Sequence, residues 1–280
     1  MVDENYFDGE HNECYGNKWA AISENSEQFF TDIIGDCVQN GELLYVQEYD
    51  NKKYAAIIYP ETSPISMLSL IEITEEANVF ASAYPVLQGL DNKIKLKDTY
   101  AWEIEAEGEM AGELETNDKL ILNFHNPYFV KDIQDFKFNN IQNVAFAGLA
   151  YSIERLEEQE FVIKEGCTYE FFLKKFLEEN PDKTEADFEP PVHRIDADYF
   201  RMFISKKYTS LYEAAGQIKD ISHTNIFDKK ITILKVNFGH DEENEEFLCN
   251  VYVSEHVLKD YVPKINDGIV CIMWLCGYFN

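Results

Sequence analysis

The sequence predicts a β-rich α+β protein: two tandemly related antiparallel β lobes, OB-like or small-barrel in outline, with a few short helices. Three observations predict it. Leu120–Tyr151, LILNFHNPYFVKDIQDFKFNNIQNVAFAGLAY, reads as strand, short helical turn and strand, and Phe247–Tyr278, FLCNVYVSEHVLKDYVPKINDGIVCIMWLCGY, repeats that order. Short β-branched and aromatic runs recur between turn-forming residues along most of the chain. Helical spacing of apolar residues is confined to brief segments.

Taken in order, residues 1–18 are polar and acidic and form an arm. Glu24–Val38 places Phe29, Phe30, Ile33, Ile34 and Cys37 on one helical face, with Ser23 or Ser26 available as a cap and Gly41 ending the run. Leu43–Tyr49 and Tyr54–Tyr59 flank the turn-forming Asp50-Asn51-Lys52-Lys53 and read as a hairpin closed by Pro60 and Pro64. Met67–Ile73 is apolar and fits either a strand or a helix. Val79–Val86 and Lys93–Leu96 read as strands around a turn at Gln88–Asn92.

Trp102–Leu114 alternates: Trp102, Ile104, Ala106, Gly108 and Met110 share one face, and Glu103, Glu105, Glu107 and Glu109 the other. Period-two alternation is the mark of a half-buried strand, with Gly108 and Gly112 suggesting a bend. Leu120–Phe124 follows, then a helical turn opened by Asn126-Pro127, then the buried strand Val144–Ile153. Tyr169–Leu177 has helical spacing and stops at Asn180-Pro181, and Lys183–Pro191 reads as a loop.

In the second copy Glu213–Ile218 aligns with Glu105–Met110 through Gly216 and Gly108, and Lys259 aligns with Lys131. On that alignment Ile231–Phe238 is an extra strand, followed by an acidic loop at Gly239–Glu246. The second copy ends two residues after its buried strand, so a strand closing it is expected from elsewhere in the chain, and two packed β-rich lobes sharing edges are favoured over a single large antiparallel sandwich. The domain organisation expected is an arm over 1–18, a β-rich lobe over 19–164, an insertion of helix and loop over 165–200 and a second β-rich lobe over 201–280.

Composition narrows the function. Hydrophobic residues make up 45% of the chain, enough for a sizeable core, and 52 acidic against 24 basic residues leave a net charge of −28. Such a surplus repels nucleic acid and anionic membrane and steers basic proteins inward. The expected partner is therefore a basic protein, with no direct nucleic acid and no membrane. The N-terminus lacks the basic and apolar regions of a secretory leader, and the six cysteines form no C-x-x-C pair, so a reduced cytoplasmic setting is expected.

The leading candidate site is the carboxylate row Glu103, Glu105, Glu107 and Glu109, extended by Glu113 and Glu115. Alternate strand residues are about 6.5–7 Å apart, close to the phosphate spacing of a nucleic-acid strand, so the row suits a phosphate decoy facing a basic groove. A solvated strand face is the competing explanation. Aligned positions in the second copy are Glu213, Ala215 and Gln217, so the fold itself does not demand carboxylates there.

Three weaker candidates are His193 with Asp196 and Asp198 as metal ligands or an acid–base pair, His240 with the acids through Glu246 as a cation loop, and the aromatics of Phe124–Phe129 as a stacking surface. A polar linker, a solvated hairpin tip, and core and cap roles, respectively, are the simpler explanations and are favoured. No P-loop, G-x-G-x-x-G or G-x-S-x-G is present. The expectation is a non-enzymatic acidic interaction module without cofactor or metal, in its sharpest form a nucleic-acid-mimicking inhibitor of a nuclease or other basic nucleic-acid-binding protein. An OB-like ligand- or oligonucleotide-binding module and a metal-dependent hydrolase are the alternatives.

Overall fold

A computed structural model describes residues 18–102, 106–115, 120–156, 160–162, 167–181, 183–188, 192–194, 201–204, 210–240 and 246–279. The protein is β-rich with few short helices. A 3-10 turn (Lys18–Ala21) leads into helix α1 (Ser26–Asn40). Strands β1 (Glu42–Tyr49), β2 (Lys52–Tyr59), β3 (Ile65–Ile73) and β4 (Asn78–Leu87) form an antiparallel sheet in the order β1-β2-β3-β4. Asp50 and Asn51 link β1 to β2 at φ values of 49° and 63°, the left-handed pair that a tight hairpin requires. Met67–Ile73, ambiguous in sequence, is strand: two neighbouring strands satisfy its backbone, and Met67, Leu68 and Leu70 are fully buried.

The remaining strands build the main sheet: β5 (Leu90–Ala101), β6 (Gly108–Leu114), β7 (Ile121–Asn126), then helix α2 (Phe129–Asp132) and β8 (Ile141–Arg155). A small pair, β9 (Glu160–Val162) and β10 (Val192–Arg194), brackets helix α3 (Cys167–Glu179) and a 3-10 turn at Glu185–Asp187. β11 (Arg201–Ile204), β12 (Leu211–Ile226), β13 (Lys229–His240), β14 (Glu246–Ser254), helix α4 (Glu255–Leu258) and β15 (Gly268–Phe279) complete the chain.

The pairings close two rings of five strands, β5-β6-β7-β15-β8 and β12-β13-β14-β8-β15. Both contain the antiparallel pair β8–β15, which runs from Ile269↔Arg155 to Phe279↔Val144. Each of these long strands changes its other partner part-way along. β8 pairs with β5 over Ile141–Phe146 and in parallel with β14 over Ala147–Leu149. β15 pairs with β12 over Gly268–Trp274 and in parallel with β7 at Cys276. The closing strand missing from each segment is thus the last strand of the other. Residues 19–164 and 201–280 meet along a common wall.

That wall explains the two apolar runs that stand out in the sequence. On one face of β8 and β15, Phe146, Ile153, Met273 and Leu275 fill the ring interiors with Phe124, Phe238 and Phe247. On the other face, Ala147, Leu149, Trp274 and Cys276 pack against the 3-10 turn, α1 and the four-stranded sheet. Strands buried on both faces read as continuous apolar runs rather than alternations. Cys37, Cys249, Cys271 and Cys276 are free and buried, as small hydrophobes.

The structure corrects four sequence expectations. Trp102–Leu114 is not one bent strand: β5 ends at Ala101, β6 begins at Gly108, and Trp102 N–H donates to Glu107 O across a turn. Gly108 and Gly216 are not equivalent, since Gly108 opens β6 and Gly216 lies within β12. Each ring takes three consecutive strands before its short helix, so Ile231–Phe238, within β13, is not an extra strand; Lys131 lies in α2 and Lys259 just after α4. Finally, Leu90–Asn92 belong to β5, leaving only Gln88 and Gly89 as the connection.

Because both rings lean on one wall, they unfold together. Phe124→Ala and Phe238→Ala, one in each ring, are each expected to cost about 3–5 kcal/mol. Urea unfolding followed by circular dichroism and by tryptophan fluorescence should keep a single coincident transition with unchanged slope; a two-step curve would refute a shared core.

Candidate functional site

The densest group of buried polar side chains lies where the four-stranded sheet meets the outer face of β7 and β15. Five short-range facts assemble it. Lys18 opens the 3-10 turn and is only 9% exposed. Tyr84 comes from β4, and its hydroxyl donates to Pro127 O (2.8 Å), tying the sheet to the start of α2. Trp102 and Glu107 are the two sides of the β5–β6 turn. His125 is on β7, facing Glu109 across the strand pair on one side and Cys276 of β15 on the other. Trp274 is on β15.

Lys18 Nζ lies 3.3 Å from Glu107 Oε2. It also sits 4.9 Å from the ring centres of Tyr84 and Trp102 and 4.7 Å from that of Trp274, within cation–π range of all three. His125 is inserted between the two indoles, 4.9 Å from Trp102 and 4.7 Å from Trp274, with tilts of 32° and 39°. Tyr84 meets the imidazole edge-on at 5.0 Å. His125 Nε2 is 3.5 Å from Glu107 Oε2, and His125 Nδ1 has no hydrogen-bond partner among the described residues.

The charge states follow from this packing. Burial pushes the Glu107 carboxyl up, but the Lys18 ammonium and the hydrogen bonds from His125 and Ser82 overcome it and hold the group at about 2. Burial and the Lys18 charge push His125 down to about 3, against the pull of Glu107. At neutral pH the cluster is therefore an ammonium, a carboxylate and a neutral imidazole. Lys18 covers the His125–Glu107 pair, so the arrangement is built to hold a cation.

A second buried carboxylate anchors the neighbouring turn. Asp132 Oδ2 accepts from Asn126 Nδ2 (2.9 Å) and from the Phe279 backbone N–H (3.0 Å), which pins α2 to the end of β15. Asn126 Oδ1 accepts from the Tyr128 N–H (2.7 Å), so the Asn-Pro signal marks the turn that starts α2. A Cβ at Gly108 would run into the Phe129 ring, so α2 can seat there only over a glycine.

Comparison with protein-family models, with curated proteins and with solved structures returns no match to this chain.

The sequence-predicted glutamates are dispersed by the fold. Glu107 and Glu109 are 2% and 0% exposed and cannot present charge to a partner. The physical reason is that β5 ends at Ala101 and β6 begins at Gly108, with Trp102 N–H bonded to Glu107 O between them: the alternation is broken, so Glu107 joins the cluster with Trp102. Glu113 is half-buried and paired with Lys97 (2.7 Å), while Glu115 is exposed beside Lys93 (3.6 Å). Glu103 and Glu105 lie outside the described residues.

Of the weaker candidates, His193 is on β10 and Asp196 and Asp198 lie outside the described residues. His240 ends β13, residues 241–245 lie outside the description, and Glu246 is taken by Asn237 (2.8 Å) and Lys219 (3.2 Å). Phe124 and Phe129 are core. Among the described residues no group of three His, Cys, Asp or Glu side chains is placed to hold a metal ion, and no helix is long and apolar enough to cross a membrane. Sequence reasoning weighed His125 only as part of an aromatic run and missed Lys18, Tyr84, Trp102 and Trp274. The available signal was Lys18 beside Trp19, the last basic residue before a stretch without any up to Lys52.

Two expectations test the cluster. Glu107→Gln removes a buried counter-charge 3.3 Å from the Lys18 ammonium and should cost about 3–5 kcal/mol in urea unfolding. For His125 the folded value of about 3 lies below its ordinary 6.5, so the unfolded chain binds its proton first as pH falls. Stability from this group is complete above pH 6.5 and declines down to pH 3. His125→Gln should flatten the urea midpoint against pH in that window; an unchanged profile would mean that His125 is not held neutral.

Proposed function

We propose that this protein is a non-enzymatic interaction module that binds a basic polypeptide partner. The observation that carries this is the surface of α1 and β1. From Trp19 to Asn51 the chain has no Lys, Arg or His, and Glu24, Glu27, Asp32, Asp36, Glu42, Glu48 and Asp50 are all exposed. Inside that acidic frame sit exposed Val38, Leu44 and Val46, with Leu43 61% exposed. Glu61 stands against Glu42 closely enough that their shared hydrogen bond and like charge push its pKa up. A cation arriving there relieves that repulsion.

Geometry says how a partner would seat. β1 is an edge strand: among the described residues no strand pairs with its outer side, and near its end Gln134 Nε2 donates to Glu48 O at 3.4 Å. Tyr45 and Tyr49 turn toward the core, whereas α1 packs on β2 and β3 and leaves Leu44 and Val46 uncovered. An edge strand with apolar side chains and a charge of one sign favours addition of a strand of opposite charge. Electrostatics would set the rate and selectivity, and backbone hydrogen bonds the register. The narrower phosphate-decoy version is not carried forward, because Glu107 and Glu109 are buried.

The finer architecture belongs to the same proposal. In each ring the chain order is three strands, a short helix and a fourth strand, with a parallel pairing to the borrowed fifth. This is the connectivity of an OB barrel. We take the two rings as OB-like units descended from one repeat that exchanged their last strands. That origin supports a binding role over an enzymatic one, and the charge of −28 argues for a protein rather than an oligonucleotide as the bound polymer.

A peptide of alternating lysine and valine tests the docking mode by calorimetry. It should bind, weaken about tenfold or more over a few-fold rise in salt, and be lost with Val46→Lys. A backbone N-methylated version of the same peptide should fail. Equal binding by the methylated peptide would reduce the interaction to diffuse charge attraction and remove the strand-addition proposal.

A further inference from the structure

The Lys18 cluster contains more than an ion pair requires. A buried lysine needs a counter-charge and hydrogen bonds, and Glu107 at 3.3 Å supplies the counter-charge. Here the ammonium is also faced by three aromatic rings from three separate elements, at nearly equal distances of 4.7–4.9 Å. Aromatic faces disposed around a carboxylate are the chemistry that selects organic ammonium groups, because the ring quadrupoles attract a soft, weakly hydrated cation. The cluster also holds buried polar atoms, His125 Nδ1 and Trp274 Nε1 among them, with no hydrogen-bond partner among the described residues. Unpaired buried polar atoms cost free energy, and a purely structural ion pair gives no reason for them.

We propose that Tyr84, Trp102 and Trp274 around Glu107 form a binding site for alkylammonium groups, and that Lys18 is its built-in occupant. Lys18 enters on a 3-10 turn rather than on a strand of either ring. The walls of the cage come from β4, the β5–β6 turn and β15. Withdrawal of Lys18 therefore empties a cage of which Tyr84 and Trp274 remain fixed in sheets and Trp102 remains tied to Glu107 O through its backbone N–H. Held in the same chain, Lys18 competes at high effective concentration, so the site is closed to external amines until the turn is displaced. The same chemistry serves a free amine or a lysine or methylated lysine of a polypeptide. This inference stands on the cage alone and survives failure of the β1 docking proposal.

The test uses the full chain carrying Lys18→Ala. Butylammonium, butyltrimethylammonium, a short lysine peptide and the neutral isostere pentanol are titrated while thermal midpoint and tryptophan fluorescence are followed. The two cations should raise the midpoint of Lys18→Ala saturably and change its fluorescence, whereas pentanol should do neither. The unaltered protein should respond about tenfold or more weakly. Adding Glu107→Gln to Lys18→Ala should remove the preference for cations over pentanol. If the lysine peptide also binds, a polypeptide side chain is the natural ligand; if only the free cations bind, it is a small amine. A folded Lys18→Ala that ignores both cations, or that takes pentanol equally well, overturns the proposal. Should Lys18→Ala fail to fold, refolding in butylammonium must restore it. No recovery, with Lys18→Met as stable as the unaltered protein, would show that only apolar volume is needed there and would equally overturn it.

Discussion

Everything in this fold hangs on the hydrogen-bonded pair β8–β15. Its two strands are contributed by distant parts of the chain, and each is a wall of both strand rings. Neither ring closes without the other's last strand. The pair is also the middle layer of the molecule, with ring interiors on one face and α1 with the four-stranded sheet on the other. A strand in that position cannot alternate polar and apolar residues, because neither face meets water. The long apolar runs are the direct consequence, and so is the burial of Cys271 and Cys276, whose thiols burial pushes up to about 12 and so keeps protonated.

The same constraint places the charged cluster. Trp274 lies on the outer face of β15, and His125 reaches that layer because β7 joins β15 in parallel at Cys276. When the four-stranded sheet is pressed on, Tyr84 closes over the imidazole. Any charge caught in such a layer must be neutralised there, since desolvating a lone carboxylate costs several kcal/mol. Glu107 is compensated by Lys18, and His125 stays neutral. The protein thus removes some of its acids from the surface and holds them as internal counter-charges. It leaves the acids of α1 and β1 without any nearby base in sequence. The interior and the surface use the same residue type for opposite ends: one satisfies a cation already present, the other leaves a field for one to enter.

The sequence by itself determined much of the frame. The helix over Ser26–Asn40, the Asp50-Asn51 hairpin, the turn at Asn126-Pro127 and the β-rich character are all local, set by periodicity, left-handed turn residues and the Asn126 side chain bonding two residues on, whereas the expected cap from Ser23 or Ser26 is not made: the helix starts after Asn25 with no side-chain cap. What it could not fix was the pairing itself. An apolar run buried on both faces carries no register signal, and the match of Gly108 with Gly216 was accidental, since one opens β6 and the other lies within β12. The glutamate row failed for a related reason. Alternation over a few residues looks the same in a strand and across a break between strands, and the break between β5 and β6 leaves Glu107 buried. Lys18, Tyr84, Trp102 and Trp274 are separated by up to most of the chain and share no spacing, so only the tertiary structure, stacking one sheet on the shared wall, could bring an ammonium, a carboxylate and three aromatic rings to one point.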